Sequence, residues 1–388
     1  MSFQLNDQQQ SIVDSIAKLS ADFDDAYWFD HDHTGDFPFE FHKAMADGGW
    51  LGIAMPEEYG GAGLGVTEAA LMMHQIGRSP GAMTACSSVH INIFGPHPIV
   101  VFGTDEQKQR WLPDLVQGNL LTCFGVTEPD AGLNTTKLKT RAERSGNGYI
   151  VNGKKIWTTT AQEASKILLL ARTTAIEDCK KPTEGLSLFY TDLDRDYCDI
   201  REIEKMGRKA VDSNEVFFDG LPVPLEDRIG EEGMGFRYIL HSMNPERILI
   251  GMEAVGIGQN ALARAVKYAQ EREVFDRPIG QNQSIQHPLA EDWMALEAAY
   301  LMGLKAGYLY DNGEPCGAEA NATKYLGAEA GFKAATNAVM THGGMGYAKE
   351  FHVERLLRES LLPRIAPVSP QMILNYIAER VLHLPKSY

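Results

Sequence analysis

Apolar residues recur every three or four positions through the first and last thirds of the chain, which is the spacing of amphipathic α-helices. In the first third, Ile12, Ile16 and Leu19 share one helical face, and residues 67–76 repeat the pattern. Two stripes follow residue 234, formed by Met252, Val255, Leu262, Val266 and Ala269 and by Ile285, Leu289, Leu296, Tyr300 and Leu304. Residues 318–340 and 370–384 predict two more helices. Both outer thirds are therefore predicted to be helical.

The middle third is instead built of short runs rich in β-branched and aromatic residues, which predict β-strands. The runs are residues 148–160, 166–172, 185–193 and 214–220. Asn152-Gly153, within the first run, predicts a hairpin turn. The sequence thus predicts an α+β chain of three domains: helical (1–121), β (122–233) and a helix bundle (234–388).

The length, charge and cysteine content of the chain limit which kinds of protein and binding partner are expected. A chain of 388 residues is long enough for two or three domains, each with its own core. A net charge of −16 opposes binding to nucleic acid or to an anionic membrane surface. The five cysteines have no CxxC spacing, and no run of apolar residues is long enough to span a membrane. We expect a soluble cytoplasmic protein with reduced thiols.

Several histidines and loops carry only weak chemical signals. His31 and His33 lack a third metal ligand at a suitable spacing, so no metal site is predicted. His90 and His97 lie in an apolar stretch and are interpreted as core histidines. The phosphate-binding pattern GxxxxGK[ST] and the hydrolase pattern GxSxG are absent from the sequence.

The tetrapeptide NPER (244–247) has two possible interpretations. Asn244 is a suitable N-cap, Pro245 suits a first helical position, and a carboxylate at Glu246 would complement the helix dipole. Glu246 could instead take part in the chemistry of an active site. The pattern of these residues alone favours the helix start.

Two other stretches favour a ligand site. Small and hydroxyl residues crowd FGVTEPDAGLNTT (124–136), where amides and threonines could bind a planar polar ligand. Glycines interrupt THGGMGYAKEFHVERLLRE (341–359) and allow close approach of the backbone to a ligand.

Taken in order along the chain, these motifs resemble the acyl-CoA dehydrogenase family of flavoproteins. TEPDAG and GGMGY are similar to its two signatures, and PEEYGGAG, GKKIWTT, EVFFDGLPVP, GEEGMGF and REVFDRPIGQNQSIQ are also similar. The resemblance runs from end to end. It implies a helical N-terminal domain, a central β-barrel and a C-terminal four-helix bundle. It also implies FAD bound between the subunits of a homotetramer or homodimer, an acyl-CoA substrate and an electron-transfer flavoprotein as partner.

The resemblance assigns candidate site residues by position. Those expected around the flavin ring are Val126, Thr127, Trp157 and Thr159. Those expected on the pyrophosphate and adenosine side are Arg272, Phe275 and Gln283. Further contacts from the bundle are expected from Gly343, Gly344, Ser369 and Gln371, and substrate contacts from Leu133, Arg247 and Pro367. Leu133 and Asn134 replace a common SD pair, and Met340 replaces a frequent glutamine.

The chain departs from the family at the catalytic base. Many members carry the glutamate at the position of Pro367, and this sequence has no acid between Glu359 and Glu379. Isovaleryl- and long-chain acyl-CoA dehydrogenases place it on a bundle helix before an arginine, which matches Glu246 and Arg247. Proline also lacks the N–H that would polarise the thioester carbonyl, a loss of about 3 kcal/mol in comparable sites.

The leading hypothesis is therefore an FAD-dependent acyl-CoA dehydrogenase of fatty acid metabolism, acting in β-oxidation, with Glu246 as base. A second hypothesis is a 2-enoyl-CoA reductase, because the C-terminal region is also similar to crotonobetainyl-CoA reductase. A third, which Pro367 and Met340 suggest, is a redox-silent flavin or acyl-CoA binding protein. Acyl chain length cannot be predicted from the sequence.

Overall fold

The computed structural model describes residues 4–387, so the ends of the two predicted outer domains, residues 1–3 and 388, lie outside it. The N-terminal region is helical. Its helices are α1 (Asp7–Ala21), α2 (Asp25–Thr34), α3 (Phe39–Asp47), α4 (Val66–Arg78), α5 (Ala82–Phe94), α6 (His97–Phe102) and α7 (Asp105–Val116). Capping explains where α1 begins, because the Asn6 side chain accepts a bond from Gln9 N at 2.8 Å and the Gln9 side chain bonds back to Asn6 N.

The middle region is a single mixed sheet. Its strands are β1 (Thr122–Gly125), β2 (Arg141–Ser145), β3 (Gly148–Thr159), β4 (Lys166–Arg172), β5 (Leu186–Asp192), β6 (Cys198–Glu202), β7 (Ser213–Pro224) and β8 (Arg228–Ile229). They pair in the order β6-β7-β3-β2-β4-β5-β8, with β1 parallel to β4. The end strands β6 and β8 do not pair with each other, so hydrogen bonding does not close the described sheet into the expected barrel.

The predicted turn at Asn152-Gly153 is wrong. Both residues lie inside β3, where the register against β7 shifts between Val151 and Asn152. The chain turns earlier, between Ser145 and Gly148, where Gly146 has a φ of 54°. Asn-Gly also suits a β-bulge, because glycine accepts the φ of 144° that this position requires.

The C-terminal region is a bundle of three long helices followed by short ones. After α8 (Gly235–Glu271) come the strands β9 (Glu273–Val274) and β10 (Arg277–Pro278). The remaining helices are α9 (Gln283–Asp311), α10 (Gly317–His342), α11 (Val353–Ser360), α12 (Leu362–Ile365) and α13 (Pro370–Tyr376). Close packing of α8 on α10 depends on small residues, since a Cβ at Gly327 would collide with the carbonyl oxygen of Gly251. Among the described helices, none is both long and apolar enough to cross a membrane.

The helix start predicted at Asn244 is also wrong. Helix α8 begins at Gly235 and continues through Pro245, which lies in its interior. Tyr238 and Ile239 are buried one to two turns before the proline, so tertiary packing extends the helix beyond its local start signal. Pro245 removes one intrahelical bond immediately before Glu246.

The main hydrophobic core joins the N-terminal helices to the bundle. It includes Trp28, Phe41 and Met72 from the first region and Met252 and Val255 from α8. Because α4 and α5 both pack on α8, side chains of α5 are brought next to the middle of that helix.

Candidate active site

Glu246 lies buried in the first third of α8. The residue is only 7% exposed, and its Oε2 has no hydrogen-bond partner among residues 4–387. A buried polar atom without a partner costs free energy, so such an atom commonly marks a place where a ligand or water binds.

The surroundings of Glu246 keep its carboxyl close to a balance between protonated and ionised forms. Burial raises the pKa of Glu246 to about 7. The positive charges of His90, Arg247 and Lys324 oppose this rise in pKa, while the Glu253 carboxylate adds to it. A carboxyl with a pKa near neutrality is suited to exchange a proton with a weakly acidic carbon.

Arg247, which is half-buried, and Lys324, which is buried, place two cations near Glu246. Arg247 donates from Nη1 to Asn244 Oδ1 at 3.1 Å, and its Nε is buried without a partner in the described structure. Lys324, on α10, is 1% exposed, and burial lowers its pKa to about 8 against the opposing charge of Glu329. Glu246 Oε2 and Arg247 Nε therefore both retain unused hydrogen-bonding capacity.

Lys324 also holds the loop that carries Pro367. Its Nζ donates to the carbonyl oxygen of Val368 at 2.6 Å, and Pro367 follows a cis peptide bond. Ser369 is the N-cap of α13, and its hydroxyl accepts from Met372 N at 3.4 Å. The loop thus lies beside the α8 and α10 segments that bear Glu246 and Lys324.

On the N-terminal side of the site, His90 of α5 pairs through Nδ1 with Glu253 of α8. Both residues are buried, at 7% and 0% exposure, and Glu253 Oε2 has no partner among the described residues. The ring of His90 also lies 4.7 Å from that of Phe94. Sequence reasoning treated His90 as core and did not consider Glu253, although an acid seven positions after Glu246 shares its helical face.

The signature loop TEPDAG is tied to β3 by a buried ion pair. Lys155, which is 0% exposed, donates to Glu128 Oε1 at 2.9 Å and to Val126 O at 3.1 Å. Ile156 N donates to Thr127 O at 2.9 Å. These bonds bring the expected flavin-ring residues Val126 and Thr127 next to the end of β3.

Trp157 projects from a bulge at that end of β3. The register against β7 shifts between Lys155 and Thr158, and Trp157 has a φ of 61° with 56% of its surface exposed. Thr159 lies two residues further on and is half-buried. The bulge presents a flat aromatic surface beside Thr127 and Thr159, which fits a planar ligand with a polar edge.

A second group of predicted cofactor residues lies at the far end of the bundle. Arg272 caps α8 and is joined to the β9–β10 hairpin, whose tip is Phe275-Asp276 with φ values of 56° and 63°. Phe275 is 92% exposed, and Gln283 begins α9 just beyond the hairpin. Arg272 is exposed and forms no ion pair with any described residue.

Gly343 and Gly344 lie at this same end, because α10 ends at His342, whose ring stacks on Tyr268 at 4.2 Å. A Cβ at either glycine would meet no atom within 4 Å, so the backbone there is open to a ligand. The exposed Arg272 can bind a diphosphate, to which a planar guanidinium is suited. These residues fit the diphosphate half of a dinucleotide.

The structure does not bring all the predicted residues together. Arg272 lies 26 residues beyond Glu246 along one helix, about 39 Å at ~1.5 Å per residue. Ser369 and Gln371 lie near Lys324, about 28 Å along α10 from Gly343. Leu133 is 65% exposed on the loop after the signature.

Within residues 4–387, no group of three or more His, Cys, Asp and Glu side chains could hold a metal ion.

Comparison with known proteins covers almost the whole chain. Models of the acyl-CoA dehydrogenase N-terminal, middle and C-terminal domains match residues 6–119, 123–221 and 233–382. The acyl-CoA dehydrogenase fadE12 of Mycobacterium bovis is 36% identical over 100% of this chain and 99% of its own length. The 3-(aryl)acrylate reductase of Clostridium sporogenes is 36% identical over 84% of this chain and 86% of its own.

A solved structure is similar over the same extent. The FAD complex of PigA superimposes with a TM-score of 0.93 at 27% identity, covering 99% of this chain and 100% of that one. The three domain models match the N-terminal helical region, the central sheet and the C-terminal bundle in the order in which they occur along the chain. The alignment with the Mycobacterium bovis relative also extends from end to end. The chain therefore belongs to the acyl-CoA dehydrogenase family of oxidoreductases.

Proposed function

We propose that this protein catalyses the FAD-dependent α,β-dehydrogenation of an acyl-CoA thioester to the trans-2-enoyl-CoA, with Glu246 as the catalytic base. The observation that carries the proposal is the buried Glu246 carboxyl, whose Oε2 has no partner and whose pKa burial raises to about 7. Pro367 occupies the position where many family members carry the base, and proline is not an acid.

The chain's own residues account for the proton half of the reaction. Glu246 takes the α-proton, and the C–H electron pair becomes part of the new double bond. Bound FAD would supply the acceptor for the β-hydrogen, which leaves as a hydride. Burial strengthens Glu246 as a base, because an ionised carboxylate in an apolar pocket gains more from protonation than one in water.

Polarisation of the thioester carbonyl needs a donor other than Pro367, which has no N–H. Arg247 is adjacent to the base and has a buried Nε without a partner in the described chain. We assign Arg247 to the substrate, with its cation opposing the negative charge that develops on the thioester oxygen. Leu133, on the exposed loop, is assigned to contact with the CoA part of the substrate.

Two groups of residues would hold FAD. Val126, Thr127, Trp157 and Thr159 would contact the flavin ring. Arg272, Phe275, Gln283, Gly343 and Gly344 would contact the diphosphate and adenosine, with Ser369 and Gln371 on the loop side. Since about 39 Å of helix separates Arg272 from Glu246, one FAD would be bound by two chains, which supports a homotetramer or homodimer.

The finer assignments extend the family resemblance. They are three domains at residues 1–121, 122–233 and 234–388, an electron-transfer flavoprotein as electron acceptor, and a cytoplasmic role in β-oxidation. Addition of purified electron-transfer flavoprotein to the acyl-CoA-reduced protein tests the partner, because transfer would restore the oxidised flavin spectrum.

The first experiment is anaerobic bleaching of the protein-bound flavin by a panel of acyl-CoAs of increasing chain length. We expect bleaching in the wild type and a loss of at least about 100-fold in rate for Glu246→Gln, with flavin retained. Glu291→Gln is the control, because Glu291 is exposed and pairs with Lys333 at a distance of 2.8 Å, without acting on Glu246. Equal bleaching in wild type and Glu246→Gln would place the base elsewhere.

The similarity to an acrylate reductase favours one alternative, the reduction of a 2-enoyl-CoA by the same site in reverse. Reoxidation of dithionite-reduced protein by 2-enoyl-CoAs tests it. Fast reoxidation combined with slow bleaching by acyl-CoAs would select the reductase. Bound flavin that responds to neither class of ligand would select a redox-silent binding protein.

A further inference from the structure

His90 and Glu253 form a buried pair that the proposed reaction does not use directly. They connect two elements, since His90 is on α5 and Glu253 on α8, and neither is more than 7% exposed. Burying an ion pair is costly, and a well-packed apolar pair in its place is often as stable. Stability alone therefore does not explain why a charged pair is buried at this place.

Position on the helix links this pair to Glu246. Glu246 and Glu253 are seven residues apart on α8, so they lie on one face of the helix, about 10 Å apart along its axis. Each has an Oε2 without a partner in the described chain. His90 reaches this face from α5, where it contacts Glu253 directly, so a protonated His90 would attract both carboxylates across the contact between α5 and α8.

The charged groups around these residues come from four parts of the chain. Glu246 faces His90 from α5, Lys324 from α10, and Arg247 and Glu253 from its own helix. His90 also faces Arg208, whose Nη1 donates to Ser87 Oγ at 3.0 Å. Burial alone would lower the pKa of His90, but the carboxylates of Glu253 and, to a smaller extent, Glu246 together raise it.

We propose that His90, kept protonated by Glu253, is a positioning residue for the reaction at Glu246: its cation stabilises the carboxylate form of Glu246 in a pocket that otherwise favours the neutral acid. The inference rests on the proposed role of Glu246 as base. In this scheme the α-proton goes to Glu246, and His90 keeps its own proton throughout.

The test is an infrared titration of Glu246, using the carbonyl band of its protonated form, identified by the loss of that band in Glu246→Gln. The wild type should titrate with a midpoint of about 7. In His90→Gln the midpoint should rise by about one pH unit, because a nearby cation is lost and Glu253 is left unpaired. In Glu253→Gln the rise should be smaller, because the loss of an anion partly offsets the loss of charge on His90.

His74→Gln is the matched control. His74 is also buried, but its Nε2 bonds the neutral Gln259 at 2.9 Å rather than a carboxylate. Its loss should disturb packing and leave the Glu246 midpoint in place. The pH dependence of flavin bleaching should move in parallel with the infrared midpoint, with the dissociation constant of the acyl-CoA changed less than about threefold.

An unchanged midpoint in folded His90→Gln would overturn the inference. If that variant does not fold, His90→Asn is measured in its place, and an unchanged midpoint there is equally decisive against the inference. The infrared titration needs no acyl-CoA, so the two proposals fail separately. A wild type that never bleaches removes the proposed function, whereas a midpoint insensitive to His90 removes only this inference.

Discussion

Replacing Glu246 by glutamine should stabilise the folded protein at alkaline pH while abolishing its activity. The folded state holds a proton on Glu246 up to about pH 7, whereas an exposed glutamate releases it near 4.5. Between these values the folded protein binds more protons than the unfolded chain, so this carboxyl makes stability fall as the pH rises. The difference of about 2.5 pH units corresponds to about 3 kcal/mol.

The assay is thermal unfolding of flavin-loaded wild type and Glu246→Gln at pH 5 and pH 8. The two proteins should have similar midpoints at pH 5, because a neutral acid and a neutral amide are buried at comparable cost. At pH 8 the variant should unfold several degrees higher, as expected when about 3 kcal/mol of charge burial is removed. Its rate of flavin bleaching should fall at least about 100-fold at both pH values.

Glu359→Gln provides the contrast. Glu359 is also a buried helical glutamate, but it accepts from Thr84 N at 3.0 Å, from Thr84 Oγ1 at 2.7 Å and from Arg355 Nη1 at 3.1 Å. Its replacement should destabilise the protein by about 1–3 kcal/mol at pH 8. If Glu246→Gln were destabilised like Glu359→Gln, Glu246 would have to be a satisfied structural acid, and the reasoning from its unpartnered oxygen would fail.

Three further predictions concern the pH optimum and the cofactor. The rate of flavin bleaching should rise about tenfold per pH unit below pH 7 and level off above it, because Glu246 must be ionised to accept a proton, and a profile flat from pH 5 to pH 8 would contradict this. Lys155→Met leaves Glu128 buried without its cation and should lower stability by about 3–5 kcal/mol and release flavin, measured by calorimetry and absorbance. Arg272→Gln should weaken FAD binding at least about tenfold in titrations of the apoprotein without lowering its melting temperature, whereas Arg237→Gln, an exposed arginine at the other end of α8, should change neither.

Periodicity predicted the helical and β regions well because each long element buries one face. The stripe from Met252 to Ala269 lies on α8 and is buried except at Val266, which is exposed, and the apolar run at 166–172 is β4 with every residue buried. Local sequence signals for a helix start and for a hairpin turn predicted the structure less well than periodicity did. Asn244-Pro245 and Asn152-Gly153 both occur inside continuous elements, where packing on neighbouring helices or strands outweighs a preference of about 1 kcal/mol.

The candidate base was predictable from the sequence, but its environment was not. Glu246 could be chosen because Pro367 leaves the usual position without an acid. Its partners come from α5 and α10, more than 70 residues away in each direction, and a single sequence gives no measure of such distances. The isolated polar residues Glu253 and Lys324, each within an apolar or alanine-rich stretch, were the available signal, and they were overlooked.

The position of Glu246 on a long packed helix has a consequence for the timing of entropy loss. A base on the loop at residues 366–369 would need that loop to be ordered each time a substrate binds. On α8 the backbone of the base is fixed by contacts with α4, α9 and α10 made when the chain folds. Only the side-chain torsions of Glu246 remain to be ordered during turnover, so most of the cost of alignment falls on folding and little is subtracted from the binding energy of each substrate molecule.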